Sequence, residues 1–214
     1  MHFNAKQKEL FEKNLSVIRD IYLKEALENL EPKIFCPLYG GDPLAFNLED
    51  IRDKSLLYQD PIKELNETIA RYNENYPFYP VLYFYGFGSG ILYKALAQNA
   101  THELFVIFEE ELETLYYAFH NLDFSPEFDA GRLLILNSSL HDVEGECNML
   151  FAVKKECFLT SRLYFLELHS DYYQKFDPLK INTMLSSIIK SAIIVAGNDP
   201  KDALQGIEQF VLNI

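Results

Sequence analysis

Apolar residues recur at three- and four-residue steps at Phe11, Leu15, Ile18, Tyr22 and Ala26, the spacing that lines one face of a helix. Charged residues fill the intervening positions, so the pattern predicts an amphipathic helix from about Lys6 to Leu30. Its stripe must pack on the core or on another chain. Glu31-Pro32 ends it, because a residue before proline is driven out of the helical region. Lys33 to Leu48 reads as two short strands or loops around a Gly40-Gly41-Asp42 turn. Residues 1–58 are therefore expected to form an N-terminal appendage of helix and short β structure.

From residue 59 the pattern changes to alternation. Short apolar runs predict strands at 80–85, 103–108, 132–136 and 161–168, with helices between them at 89–99, 110–120 and 146–155. Asp60-Pro61, Asp177-Pro178 and Asp199-Pro200 each offer an N-cap followed by proline at the first helical position. They predict helices at 61–74, 178–196 and 200–212. Residues 59–214 are thus expected to form an α/β domain, a Rossmann-like and mostly parallel sheet with flanking helices. The last helix stops at Ile214 without a polar tail, which suggests either a longer protein or a firmly docked end.

The 214 residues are 49% hydrophobic and 24% charged, enough for a sizeable core. No apolar run approaches a bilayer's thickness, and the first residues lack the apolar segment of a secretory signal. Cys36, Cys147 and Cys157 are few, odd in number and not closely paired, which fits reduced thiols and a cytoplasmic setting. A net charge of −13 repels phosphate backbones and anionic lipid, so neither nucleic acid nor membrane is expected as a partner.

The strongest candidate site is Gly86-Phe87-Gly88-Ser89-Gly90, directly after the strand at 80–85. Glycines at a strand-to-helix turn let a ligand's phosphate or backbone approach closely. A dinucleotide fingerprint needs its third glycine where this chain has Ile91. The G-x-G-x-G spacing instead resembles the first motif of S-adenosylmethionine-dependent methyltransferases, although Tyr85 stands where that family carries an acid. Glu109 ends the next strand, where such folds bind a ribose hydroxyl. Gly86, Gly88, Gly90 and Glu109 are accordingly the candidate cofactor-binding residues. The competing reading is a turn that brings helix 89–99 close to the sheet, with the Glu109–Glu113 acids stabilised by the helix dipole.

Asn137-Ser138-Ser139-Leu140-His141-Asp142 contains a serine, a histidine and an acid. A triad is defined by converging geometry, and no G-x-S-x-G elbow precedes it, so loop-forming and capping roles are expected. The histidines at 2, 102, 120, 141 and 169 do not pair with one another or with cysteine at ligand spacing, and no metal is expected. His169-Ser170-Asp171-Tyr172-Tyr173 is expected as a surface turn. The aromatic residues crowding 72–87 are expected in packing.

Three segments together resemble the N-terminal region of the motility accessory factor (Maf) family of bacterial flagellin glycosyltransferases. They are Leu82-Tyr83-Phe84-Tyr85-Gly86-Phe87-Gly88-Ser89-Gly90, Phe105-Val106-Ile107-Phe108-Glu109, and Ala196-Gly197-Asn198-Asp199-Pro200-Lys201-Asp202-Ala203-Leu204-Gln205-Gly206. The resemblance implies a cytoplasmic enzyme that moves a nonulosonic acid of the pseudaminic or legionaminic type from a CMP-sugar to flagellin Ser or Thr, serving flagellar assembly and motility. It places catalytic and donor-binding residues in a central domain beyond Ile214, so no catalytic residue and no cofactor is assigned to this chain. Its expected partners are flagellin or the remaining domains of a longer protein, and a homo-oligomer could form through the first helix. Two other classes stay open: a methyltransferase-like nucleotide or S-adenosylmethionine binder, and an interaction domain of an unrelated protein.

Overall fold

The computed structural model describes residues 3–75, 77–78 and 80–153. The first helix, α1 (Ala5–Val17), starts from a capping box in which Asn4 and Gln7 exchange side-chain and backbone bonds. The chain leaves the helix at Ile18, and the Asp20 carboxylate accepts the Tyr22 and Leu23 amides to start α2 (Ile21–Glu28). The single helix expected over 6–30 is therefore two, because a good N-cap sits in its middle. The break re-phases the apolar stripe. Leu15 and Ile18 are buried as expected, but Leu23 and Leu27 continue the buried face and Tyr22 is 61% exposed.

Helix α1 packs on α5 (Leu112–Asn121) and α6 (Ser125–Asp129), and α2 packs on α5. Asn14 is fully buried at that seam. Its Nδ2 donates to the Phe119 and Leu122 carbonyls at 2.9 and 2.8 Å, and its Oδ1 accepts the Phe124 amide at 2.7 Å. One side chain thus pairs backbone groups at the end of α5 and the start of α6.

The expected short strands are present. β1 (Phe35–Leu38) and β2 (Asn47–Asp50) run antiparallel, with Phe35 opposite Asp50 and Leu38 opposite Asn47. Between them Asp42 caps a 3-10 turn at Pro43–Ala45. The Asp60-Pro61 start of α3 (Pro61–Asn75) is also as read. The Asp60 carboxylate accepts the Lys63 amide, and Glu64 Oε1 takes the Gln59 and Asp60 amides.

The sheet orders β3 (Val81–Tyr85), β4 (Leu104–Phe108) and β5 (Leu133–Leu136) side by side. Its strands are parallel, with Val81 opposite Leu104 and Tyr85 opposite Phe108. Helix α4 (Ile91–Leu96) joins β3 to β4, helices α5 and α6 join β4 to β5, and α7 (Val143–Val153) follows β5. Parallel strands alternating with helices make this a Rossmann-like α/β fold. Helix α4 is shorter than expected because Gly90, at φ +76°, is left-handed and lies outside it. Helix α6, which begins at Ser125-Pro126, was not anticipated from the apolar pattern. The expected strand at 161–168 and helices at 178–196 and 200–212 lie outside the described residues.

Two compact units interleave along the chain. One takes Met1–Pro77, Phe87–Ala100 and Glu111–Leu133 and holds α1 to α6 with the β1–β2 hairpin; the other takes Phe78–Gly86, Thr101–Glu110 and the described residues from Leu134 on.

Candidate functional site

In an open parallel sheet, ligands bind beyond the carboxyl ends of the strands. Here those ends are tied to one another. The Gly86 amide donates to Phe108 O at 2.7 Å and the Glu109 amide to Leu136 O at 2.9 Å. Asn137 Nδ2 donates to the Glu109 and Glu110 carbonyls at 2.8 and 3.2 Å. Gly86 and Glu109 thus come together at the ends of adjacent strands, and Glu109 is fully buried.

The loop after β5 is organised by Asn137. Its Oδ1 accepts the Ser139 amide, and its backbone amide nitrogen lies 2.9 Å from His141 Nδ1. Ser138 Oγ donates to Glu110 Oε2 at 2.8 Å. A nucleophile–base pair needs the hydroxyl proton directed at the imidazole. Here Ser138 directs it to a carboxylate while the His141 ring turns onto the Asn137 backbone. Asp142 accepts the Gly145 amide at the start of α7. The expected loop-forming and capping roles are what these three side chains perform.

The glycine turn has a different construction. Gly86, Gly88 and Gly90 all have positive φ (90°, 59° and 76°), a conformation that L side chains rarely adopt. Residues 86–90 are buried throughout. Phe87 packs among Tyr93, Phe119 and Phe124 at centroid distances of 5.2, 5.8 and 5.1 Å, edge-to-face with the two phenyl rings. The Ser89 amide donates to Tyr58 Oη at 3.2 Å, and Ser89 Oγ lies 3.2 Å from the same oxygen. The Gly90 amide donates to Phe87 O at 3.1 Å and the Ile91 amide to Ser89 Oγ at 3.4 Å.

Other buried polar groups lie outside the two turns. Glu113, read as a helix-dipole acid, is 4% exposed. Its carboxylate accepts the backbone amides of Lys33, Ile34 and Phe35, which feed the start of β1. One turn further along α5, Tyr117 Oη donates to Phe35 O at 2.9 Å, and burial pushes its phenol pKa well above the ordinary value of 10. The available signal was Glu113 and Tyr117 four apart on one helix face, opposite the face of Leu115, Ala118 and Phe119. His120 is stacked between the Phe3 and Phe11 rings at 3.6 and 4.2 Å, and burial lowers its pKa. Burial pushes the Cys147 thiol up to about 12, leaving it an inert core group.

Among the described residues, no group of three or more His, Cys, Asp or Glu side chains could hold a metal ion. No helix among them is long and apolar enough to cross a membrane. No family model matches the sequence, and comparison with curated proteins finds no match. The fold is similar to a solved structure of a MAf glycosyltransferase from Magnetospirillum magneticum AMB-1, with a TM-score of 0.57 and 13% identity. That likeness covers 90% of this chain and 36% of the other, so this chain spans little more than a third of that protein's length. At such identity the shared property is the fold: this chain is built like one part of a Maf glycosyltransferase.

Proposed function

We propose that the chain is a non-catalytic, N-terminal module of a glycosyltransferase of the Maf type. One observation carries this reading: nearly the whole chain matches a fold that occupies only a minor share of a Maf glycosyltransferase. Two further features support it. The strand–glycine and strand–acid segments of the sequence resemble that family's N-terminal region, whereas the Ala196–Gly206 segment lies outside the described residues. The serine and histidine after β5 serve separate bonds and do not form a relay.

In this proposal the parent protein works in the cytoplasm. It transfers a pseudaminic- or legionaminic-type sugar from a CMP donor to flagellin Ser or Thr. The donor is anionic, and a chain of net charge −13 suits a part that does not bind it. The module contributes docking of flagellin or of the remaining domains. Helix α1 packs on α5 and α6, and the large apolar side chains exposed on the first two helices are Ile21 and Tyr22 of α2, at 60% and 61%.

The test is intact-mass analysis of flagellin incubated with this chain and CMP-pseudaminic or CMP-legionaminic acid. No added sugar is expected from the chain alone, and appreciable turnover refutes a non-catalytic role. A parent reading frame that stops after Ile214 removes the module reading altogether. A second reading, a methyltransferase-like S-adenosylmethionine binder, draws on the three positive-φ glycines at the end of β3. It requires saturable binding of S-adenosylmethionine or S-adenosylhomocysteine.

A further inference from the structure

A glycine turn that holds a cofactor needs two things: backbone N–H groups free to donate to the ligand, and open space where side chains would otherwise stand. The turn in this chain has neither at Ser89 and Gly90. The Ser89 amide and hydroxyl both converge on Tyr58 Oη, each at 3.2 Å. The next two amides stay within the turn, on Phe87 O and Ser89 Oγ. A Cβ placed on Gly90 would lie 2.7 Å from both Phe124 Cζ and Phe87 Cε1, so the space beside that glycine holds two phenyl rings of this chain.

Tyr58 is itself immobilised. It is 1% exposed. Its carbonyl accepts from Asn47 Nδ2 at 2.8 Å and its amide donates to Asn47 Oδ1 at 3.1 Å. Asn47, 5% exposed at the start of β2, thus clasps the Tyr58 backbone on both sides. A residue held in this way is a fixed part of the fold, unlike a gate that swings aside.

We propose that Tyr58 is the internal substitute for a ligand at this turn: its hydroxyl occupies the place that a cofactor's polar group takes in glycine turns that bind one. An S-adenosylmethionine or nucleotide cofactor does not fit here. Through Ser89 the turn locks Leu57-Tyr58 and the β1–β2 hairpin against the start of α4. Residues up to 58 are therefore integral to the unit that holds the turn, and the glycines serve the inside of the protein. This inference does not depend on the glycosyltransferase reading.

Two measurements on the full chain test it. Calorimetric titration of the unaltered protein with S-adenosylhomocysteine, CMP and inorganic phosphate, each to millimolar concentration, is expected to give no saturable heat. Saturable binding of any of the three that slows hydrogen exchange at the Ser89 and Gly90 amides of the unaltered protein would overturn the proposal. The second measurement is hydrogen exchange at the Ser89 amide in Tyr58→Phe, which keeps the ring and removes the hydroxyl. Exchange is expected to be about tenfold faster, with a fall in Tm on the order of 2–5 °C. Unchanged protection at Ser89 would also overturn it. Heat from phosphate or CMP in Tyr58→Phe alone would support it, since the hydroxyl would then have been standing in the ligand's place. The titration of the unaltered chain decides the matter even if the variant does not fold.

Discussion

The turn after β3 and the turn after β5 each carry the chain from a parallel strand towards a helix, and they are made of different materials. The first uses three glycines with positive φ around a phenylalanine and a serine, all buried. The second uses one buried asparagine, whose side-chain amide bonds the Glu109 and Glu110 carbonyls and the Ser139 amide. Around Asn137, Ser138 and His141 are half-buried and Ser139 is exposed. The comparison separates a motif's appearance from its use. The turn that looks like a cofactor cradle is filled by Tyr58, Phe87 and Phe124, while the hydroxyls and imidazole that reach towards solvent belong to the turn with no recognisable fingerprint.

The largest effect expected from this contrast is that of Gly90→Ala. Its φ of +76° and the two ring carbons at 2.7 Å leave no relaxed position for a methyl group. A loss of about 3 kcal/mol, or failure to fold, is expected by chemical denaturation. The matching Ser139→Ala, on an exposed side chain, should stay within about 0.5 kcal/mol. Equal losses at the two sites would break the comparison.

Asn137→Ala comes next, at about 2 kcal/mol, because it leaves buried carbonyls and an amide without their partner. Asn137→Asp keeps the acceptor for Ser139 but turns a buried carboxylate oxygen onto the Glu109 and Glu110 carbonyls, so its loss should equal or exceed that of alanine. If both variants match the parent in denaturation, the β5 turn is held by something other than that amide.

The third prediction concerns acid. His120 lies in the same compact unit as Ser89 and Gly90, and burial between Phe3 and Phe11 favours its neutral form in the folded state. The unfolded chain takes up a proton near the ordinary value of 6.5, before the folded one does. Stability should therefore fall as pH drops through 6.5 and cease falling, for this group, below its folded pKa. Thermal melts from pH 7.5 to 5 on the parent and on His120→Phe measure the difference. The variant should lose this part of the slope, and parallel curves would remove His120 as its source.

Above only the exposed Ser139→Ala comes Ser138→Ala, at about 0.5 kcal/mol, since it deletes one half-buried bond to Glu110. A loss as large as that of Asn137→Ala would show the β5 turn to be a tightly coupled network, more like the glycine turn than the present contrast allows.

Much of the fold was legible in the order of residues. The expected strands at 80–85, 103–108 and 132–136 match β3, β4 and β5 to within a residue, because continuous apolar runs are what a buried parallel strand needs. The Asp60-Pro61 start of α3 was legible because a cap is chemistry between near neighbours. The continuous helix over 6–30 was misread because its apolar period outweighed Asp20, whose capping bonds divide it. Of the candidate site, the identity of the turn residues was legible and their environment was not.

What the sequence determined by itself is the α/β alternation, the positions of the caps and turns, and the acidic balance, since each follows from periods and contacts within a few residues. Only the tertiary structure decided what those turns face. Asn14 meets Phe119 across 105 positions, Glu113 meets Ile34 across 79, and Tyr58 meets Ser89 across 31. A polar side chain aimed at water and one aimed at a distant backbone group read alike along the chain. Folding alone brings the partner within hydrogen-bond reach, and that partner sets whether a glycine turn holds a ligand or a tyrosine.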